Sequence, residues 1–227
     1  MEIKCHFISG DNCEIPAILI RPSHPCGSVI IVHGYGGNKE EQLGLGFQIA
    51  KTGLLSCVID LRGHGEHPLK LDGDIRNDLE AAIRFCRPFG KITVVGHSLG
   101  GRLALLSNVD YCIAISPSLS KKYSEQTREM LKVMRSYRVR PSDIMNLLTL
   151  QEELPVWKAE HHKGEVLILY AERDAPEISE GCQLLKNKGT QVIRIEKAMH
   201  SDVFLVKQTF VTIREQIRKW YDNTIVD

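Results

Sequence analysis

The strongest indication of chemical reactivity in this sequence is a serine flanked by glycines. The sequence GHSLGG occupies residues 96–101, after the apolar residues 92–95 and before a helical pattern at residues 102–107. A serine hydroxyl becomes a nucleophile when a base takes its proton, and a tight strand-to-helix turn holds it out towards a substrate. We therefore predict that Ser98 is a nucleophile and that the N–H of Leu99, at the helix start, stabilises an oxyanion.

A second glycine-rich segment, HGYGG at residues 33–37, follows the apolar residues 29–32. An oxyanion needs another hydrogen-bond donor from a loop at the same end of the sheet, and glycines let the backbone approach a ligand closely. The N–H of Tyr35 is our candidate for this donor. A phosphate-binding loop is the alternative interpretation, but the sequence lacks the GxxxxGK[ST] pattern.

These loops need strands and helices to position them. Short, continuous apolar runs are typical of parallel strands buried on both faces, and they cover residues 29–32, 54–59, 92–95, 111–115, 166–170 and 192–195. Segments long enough for crossover helices lie between them, at residues 41–52, 74–87, 102–107 and 178–188. We predict an α/β fold, with a mostly parallel sheet and helices on both faces.

The two ends of the chain have patterns other than this alternation of strands and crossover helices. Residues 3–8 and 14–20 flank a Gly-Asp-Asn turn and predict an antiparallel hairpin at the sheet edge. Residues 204–221 predict a closing amphipathic helix.

Residues 118–164 contain no strand pattern and predict a helical cap inserted into a single domain of residues 1–227. We expect about two helices, with Pro141-Ser142 ending the first and capping the second. The insertion follows residues 111–115, so it leaves the carboxyl end of the sheet, where open α/β folds bind ligands.

The first predicted cap helix carries an apolar stripe with helical spacing. Its members are Tyr123, Met130, Met134 and Tyr137, and Thr127 falls at the same spacing. Met130, Met134 and Tyr137 are our candidates for an acyl-binding pocket, and packing against the domain is the alternative.

On these features the chain resembles the α/β-hydrolase superfamily. The similarity covers the hairpin, both glycine-rich segments, the sequence DLRGHG at residues 60–65, the cap and two late loops. The family implies the order nucleophile, acid, base, and therefore implies that Asp174 is the acid and His200 the base. A carboxylate on one imidazole nitrogen would orient the ring so that the other nitrogen can take the Ser98 proton.

The loops of the implied acid and base differ from many relatives. Ala171 and Lys197 replace common glycines, and Pro176 follows the acid sooner than usual. Glu172 is the reserve candidate for the acid, followed by Glu177. We expect Lys197 to be tolerated at the surface.

The composition excludes several functional classes. The chain has 227 residues and a net charge of +1, which leaves no surplus of basic groups for nucleic acid or a membrane surface. No apolar run is long enough to span a bilayer, and the first residues do not resemble a signal peptide. The seven cysteines include no CxxC pair, which indicates a reducing compartment, and we expect a cytoplasmic protein.

Other polar residues near the motifs have structural interpretations. We expect His33 and His97 to brace their loops through hydrogen bonds, and Asp60 and Arg62 to restrain theirs through a local ion pair. His64, Glu66 and His67, and likewise His161-His162, raise the alternative of a metal site. Neighbouring side chains in a turn rarely converge on one ion, so we expect no metal.

The first half of the cap is basic, although the whole chain is balanced. Against Glu125 and Glu129 stand Lys121, Lys122, Arg128, Lys132, Arg135, Arg138 and Arg140. A solvated helix face is the common explanation for such a run, and attraction of an anionic substrate is the functional alternative.

Together these features predict a serine hydrolase that cleaves an ester or thioester through an acyl-enzyme on Ser98. It would need no cofactor, would act on a small acyl substrate, and would be a monomer or a homodimer. An acyl-aminopeptidase, a carbon–carbon bond hydrolase and a non-catalytic binding protein of the same superfamily remain the alternatives.

Overall fold

The sheet is the element that positions every candidate residue. In a computed structural model, which describes residues 1–161 and 164–221, eight strands form one sheet in the order β1-β2-β4-β3-β5-β6-β7-β8. The strands are β1 (Glu2–Ser9), β2 (Glu14–Arg21), β3 (Ser28–Val32), β4 (Leu55–Ile59), β5 (Ile92–His97), β6 (Tyr111–Ile115), β7 (Glu165–Arg173) and β8 (Gln191–Met199). Strands β3 to β8 pair in parallel, which confirms the predicted sheet.

The N-terminal hairpin is present as predicted. Strands β1 and β2 pair antiparallel, and β2 continues antiparallel onto β4, which leaves β1 at the sheet edge. In the turn, the N–H of Gly10 donates to the carbonyl of Cys13 at 2.9 Å. Asn12 adopts a positive φ of 67°, a conformation that asparagine tolerates better than most residues.

Helices cover both faces of the sheet. They are α1 (Leu43–Ala50), α2 (Ile75–Cys86), α3 (Leu99–Leu106), α4 (Glu125–Met134), α5 (Ile144–Glu153), α6 (Pro176–Asn187) and α7 (Lys207–Tyr221). Apolar residues of α1 and α7 pack on one face, and those of α2, α3 and α6 pack on the other. Every residue of β3, β4 and β6 is buried between these layers, which explains their continuous apolar sequences.

The predicted cap contains helices α4 and α5, which follow β6. Helix α4 begins after Ser124, whose side chain accepts a hydrogen bond from the N–H of Thr127. Helix α5 begins after Asp143, whose carboxylate accepts from the N–H of Met145. The expected boundary at Pro141-Ser142 was therefore wrong: α4 already ends at Met134, and Asp143 rather than Ser142 caps α5.

The remaining predicted boundaries need small adjustments. The closing helix begins at Lys207, three residues later than predicted, after a series of turns. His162 and Lys163, at the end of the predicted cap, lie outside the described residues, and so the His161-His162 pair does too. All seven cysteines are free thiols.

Candidate active site

Ser98 lies in a sharp turn between β5 and α3. Its φ is 54°, in the left-handed region that is costly for a residue with a side chain. A Cβ on Gly96 would lie 2.1 Å from the carbonyl oxygen of Gly100, and a Cβ on Gly100 would lie 2.4 Å from the carbonyl oxygen of Val32. Both positions therefore require glycine. Helix α3 starts at Leu99, three residues earlier than its apolar pattern indicated, because the turn leads directly into it.

A chain of hydrogen bonds joins Ser98, His200 and Asp174. The Oγ of Ser98 lies 3.1 Å from Nε2 of His200, and Nδ1 of the same ring lies 2.7 Å from Oδ1 of Asp174. With the ring proton on Nδ1, donated to the carboxylate, Nε2 presents its lone pair to the serine hydroxyl. This is the arrangement in which a histidine can take the serine proton.

Asp174 is buried and held by several donors. Its Oδ2 accepts from the Ser116 hydroxyl and, at 3.1 Å, from the N–H of Ala171, while Oδ1 accepts from the N–H of Ala175 at 3.0 Å. Burial alone would raise the pKa of Asp174, but the hydrogen bonds from His200, Ser116 and Ala171 outweigh it. The pKa therefore lies below its ordinary value, and the carboxylate stays ionised beside the imidazole.

The two other carboxylates considered for the acid have different partners. Glu172 accepts a hydrogen bond from the N–H of Lys197 at 2.7 Å and is exposed. Glu177, in the first turn of α6, accepts from the N–H of Ser124 at 2.6 Å and from the hydroxyl of Thr127. Within the described residues, only Asp174 contacts the His200 ring as an acceptor.

Both predicted oxyanion donors are beside Ser98. Leu99 is the first residue of α3, so its N–H has no acceptor within the helix. Tyr35 follows Gly34, where an added Cβ would lie 2.9 Å from the Cβ of Ser98, so this loop runs very close to Ser98. The phenol of Tyr35 donates to Oγ of Ser136 in the cap at 3.0 Å, which fixes the loop from above.

Histidines 33 and 97 brace loops, as the sequence indicated. Nδ1 of His33 donates to the carbonyl of Gly34 at 2.8 Å, and its Nε2 accepts from the N–H of Leu61 at 3.1 Å. Nε2 of His97 donates to the carbonyl of His200 at 2.9 Å. Burial lowers the pKa of His33 to about 4 and that of His97 to about 3, so both rings are neutral near pH 7.

The expected ion pair between Asp60 and Arg62 is wrong, because each residue pairs elsewhere. Asp60 accepts from Nζ of Lys39 at 2.7 Å, and Arg62 binds Asp78 at 2.9 Å. The backbone folds around the Asp60 carboxylate, which the N–H groups of residues 39 and 66 also reach. Both residues restrain the loop, but they do so through distant segments rather than through each other.

The predicted alternative of a metal at His64, Glu66 and His67 does not match their contacts. His64 donates to the carbonyl of Arg62 at 2.9 Å, and Glu66 accepts from Lys39. Of the groups in the described residues, Cys13, His67 and Asp78 have ligand atoms within 4.8 Å of one another.

Their hydrogen bonds, however, favour an ordinary polar contact over a metal site. Nδ1 of His67 accepts from the N–H of Leu69, so its Nε2 carries the proton and faces Asp78 at 3.5 Å. A metal ligand would need a lone pair on Nε2. Asp78 is in addition engaged by Arg62.

A cavity of about 530 Å³ opens above Ser98, a size typical of small-molecule sites. Met130 and Met134 of the cap line it, whereas Tyr137, the third candidate for an acyl pocket, is 71% exposed and does not line it. The structure adds apolar lining residues that the sequence analysis missed, namely Leu131, Leu147, Ile178 and Phe204. The first three could be recognised in the sequence as apolar positions of α4, α5 and α6, but that pattern indicates only that they are buried in a core.

Comparisons with known proteins agree with this architecture. A sequence model of the alpha/beta hydrolase fold matches residues 27–111, which include β3, the loop of Tyr35 and the Ser98 turn. The chain has the α/β-hydrolase fold.

Solved structures with this hydrolase fold match almost the whole chain. A structure from a study of carboxylesterases of the thaumarchaeon Nitrososphaera gargenis has a TM-score of 0.76 at 15% identity and covers 96% of this chain and 100% of its own. The Pyrococcus furiosus esterase Pf2001 has a TM-score of 0.73 at 17% identity, with 99% and 91% covered. An esterase of Pyrobaculum calidifontis has a TM-score of 0.66 at 20% identity, with 99% and 87% covered.

At these identities the structural matches establish the hydrolase fold and no more. No curated protein matches the sequence significantly. Among the described residues, no helix is both long and apolar enough to cross a membrane.

Proposed function

We propose that this protein is a serine hydrolase that cleaves a carboxylic ester or thioester. The observation that carries the proposal is the hydrogen-bonded series from Ser98 through His200 to Asp174, placed at the floor of a cavity. The names of the structurally similar proteins, which are esterases and carboxylesterases, support the choice of an ester substrate.

In the first half of the reaction, Nε2 of His200 takes the hydroxyl proton of Ser98 while Oγ attacks the acyl carbon. The negative charge that develops on the carbonyl oxygen is stabilised by the N–H groups of Leu99 and Tyr35. The imidazolium of His200 is stabilised by the Asp174 carboxylate. It then gives its proton to the leaving group, and an acyl-enzyme on Ser98 results.

In the second half, a water molecule takes the place of the leaving group. His200 removes a proton from this water, which attacks the acyl carbon, and the carboxylic acid departs as Ser98 regains its proton. The half-buried setting of His200, whose side chain is 26% exposed, leaves room for water to reach Nε2 from the cavity. This chemistry uses only side chains and backbone groups of the chain.

Labelling with a fluorophosphonate probe tests the nucleophile directly. We expect the wild-type protein to be labelled and the Ser98→Ala variant not to be. Ser142→Ala is a matched control, because Ser142 is exposed and does not line the cavity. Equal labelling of the wild type and Ser98→Ala would refute Ser98 as the nucleophile, and no labelling of the folded wild type would refute a serine hydrolase and favour a binding protein.

A panel of esters, thioesters and amides with graded acyl lengths then tests the bond that is cleaved. We expect esters and thioesters to be hydrolysed at higher kcat/KM than amides of the same acyl group. A preference for acyl-amino acid amides would instead favour an acyl-aminopeptidase.

A further inference from the structure

The charged groups around the cavity differ in whether they already have partners. The cavity is lined by four acidic or basic residues besides its histidines: Glu41, Arg135, Arg173 and Asp174. Asp174 is paired with His200, and Glu41 is paired with Arg138 of the cap. Glu41 is therefore neutralised by an arginine, and the ionised Asp174 carboxylate is hydrogen-bonded to the His200 ring.

The two arginines are not equivalent. Arg173 is exposed and donates a hydrogen bond to the carbonyl of Lys197 at 3.3 Å. Arg135 is half-buried, and within the described parts of the chain no carboxylate lies within ion-pair distance of its guanidinium. A cation in a mostly apolar cavity, without a counter-charge from the protein, is a place where an anionic ligand gains binding energy.

The backbone of Arg135 packs against the loop of Tyr35, which lies beside Ser98. A Cβ on Gly36, in the loop of Tyr35, would lie 2.9 Å from both Cβ and the carbonyl oxygen of Arg135, so the two segments are in close contact. The next residue, Ser136, accepts the hydrogen bond from the Tyr35 phenol. Arg135 and Ser136 therefore both contact the loop that supplies a proposed oxyanion donor.

The charge of Arg135 acts on the candidate active site. It contributes, after burial and His200, to the low pKa of His97, whose ring centroid lies 4.9 Å from that of His200. Arg135, His97 and His200 all line the same cavity.

The other residues that the cap contributes to the cavity include the apolar Met130, Leu131, Met134 and Leu147, beside the polar Ser124, Gln126 and Thr127. An apolar chain with one negative group would suit such a lining. The limited volume of about 530 Å³ indicates a small molecule rather than a polymer.

We propose that Arg135 forms an anion subsite and that the substrate is an ester or thioester that carries a carboxylate elsewhere in the molecule. This inference rests on the proposed function, because it names the substrate class of the same site. Arg135 would bind the carboxylate through charge-assisted hydrogen bonds while the apolar cap residues contact the intervening chain. The surplus of positive charge in the first half of the cap would attract such a substrate from solution.

Matched substrates test the subsite. The probes are the mono-4-nitrophenyl ester of glutaric acid, which carries a free carboxylate, and 4-nitrophenyl valerate, which is neutral and of similar length. We expect Arg135→Gln to lower the ratio of kcat/KM for the anionic ester to that for the neutral ester by about tenfold. Arg135→Lys should lower this ratio less, because the positive charge remains.

Two control variants locate the effect. Arg128→Gln removes a charge from the exposed surface of α4, the helix that ends just before Arg135, away from the cavity, and should leave the ratio within about twofold. A fall in the ratio for Arg173→Gln but not for Arg135→Gln would overturn the assignment. An unchanged ratio in Arg135→Gln would overturn it as well.

A binding measurement separates failure of the subsite from failure of the proposed function. In the Ser98→Ala background, monomethyl adipate should bind more tightly than dimethyl adipate, and adding Arg135→Gln should weaken only the former by about tenfold. Equal binding of the two esters would refute the subsite whatever the catalytic activity. Absence of hydrolysis of both nitrophenyl esters by the wild type would refute the esterase instead.

Discussion

The guanidinium of Arg102 donates a hydrogen bond to the carbonyl oxygen of Leu154 at 2.7 Å, and so joins the helix that follows Ser98 to the end of the cap. Arg102 is 1% exposed and also donates to Oε1 of Gln151 and to the carbonyl of Ser120. Its acceptors are neutral, and burial lowers its pKa. The charge is stabilised in part by the carbonyl groups at the C-terminal end of α5.

Replacement of Arg102 by methionine should destabilise the protein. Methionine keeps the apolar stem but leaves the buried carbonyl of Leu154 and the amide of Gln151 without their donor, which we expect to lower the free energy of unfolding by about 2 kcal/mol. Urea unfolding at equilibrium measures this. Arg76→Met, at an exposed arginine that donates weakly to Leu106, should change the stability by less than about 0.5 kcal/mol. Equal stability of the two variants would contradict the role of Arg102.

Asp174→Asn should reduce kcat for an ester by on the order of 10³- to 10⁴-fold, the scale seen when a triad carboxylate is replaced by an amide. The amide can donate to Nδ1 of His200, which would place the ring proton on Nε2 and leave no base for Ser98. Glu172→Gln loses only an exposed contact with the N–H of Lys197 and should change kcat by less than about threefold. A larger loss of kcat in Glu172→Gln than in Asp174→Asn would show that Glu172, rather than Asp174, is the acid.

Lys197→Gly should stabilise the protein, although glycine usually has the opposite effect. Lys197 has a φ of 58°, which costs a residue with a Cβ about 1 kcal/mol, and glycine avoids this cost. The greater entropy of glycine in the unfolded chain offsets part of the gain, so we expect a net increase of about 0.5 kcal/mol. Lys186→Gly, in the exposed part of α6, should instead cost about 1 kcal/mol. Thermal unfolding of both variants gives the comparison, and a loss of stability in both would contradict the prediction.

Stability should fall as the pH is lowered from about 6.5 to about 4. Burial lowers the pKa of His33 to about 4 and that of His64 to about 3, while both would titrate near their ordinary value in the unfolded chain. Below that value the unfolded state binds more protons than the folded state, so the free energy of unfolding decreases with falling pH. The decrease is at most about 1.4 kcal/mol per pH unit for each such histidine.

Urea unfolding at a series of pH values between 7 and 4 measures this slope. His33→Gln should reduce it, and His24→Gln, at an exposed histidine, should not. A slope that is the same in His33→Gln as in the wild type would show that protonation of His33 does not contribute.

The sequence predicted the strands and the Ser98 turn well, because each depends on local features. The strands are buried on both faces and are therefore continuously apolar. The turn needs glycine at positions 96 and 100, where any side chain would meet the backbone. Local features also predicted the position of Leu99, at the start of the helix after Ser98, and the glycine-rich loop of Tyr35.

Contacts between distant segments were harder to predict. The distant partners of Asp60 and Arg62, Lys39 and Asp78, are set by the packing of the loop after β3 and of helix α2 against the loop after β4, which no local pattern reports. The position of Tyr137 was also hard to predict. Its spacing from Met130 is that of a continuous helix, but α4 ends at Met134, so the face of the helix that carries Met130 does not extend to Tyr137.

The hydrogen bonds that Glu177 accepts from Ser124 and Thr127 have a consequence for redesign of this enzyme fold. They connect the start of the cap to the helix that begins two residues after Asp174, while Tyr35 connects the cap to its own loop and Arg102 connects it to α3. The cap is therefore not an exchangeable module. A chimera that receives a cap from another protein of this fold would also need the matching partners on all three supporting segments.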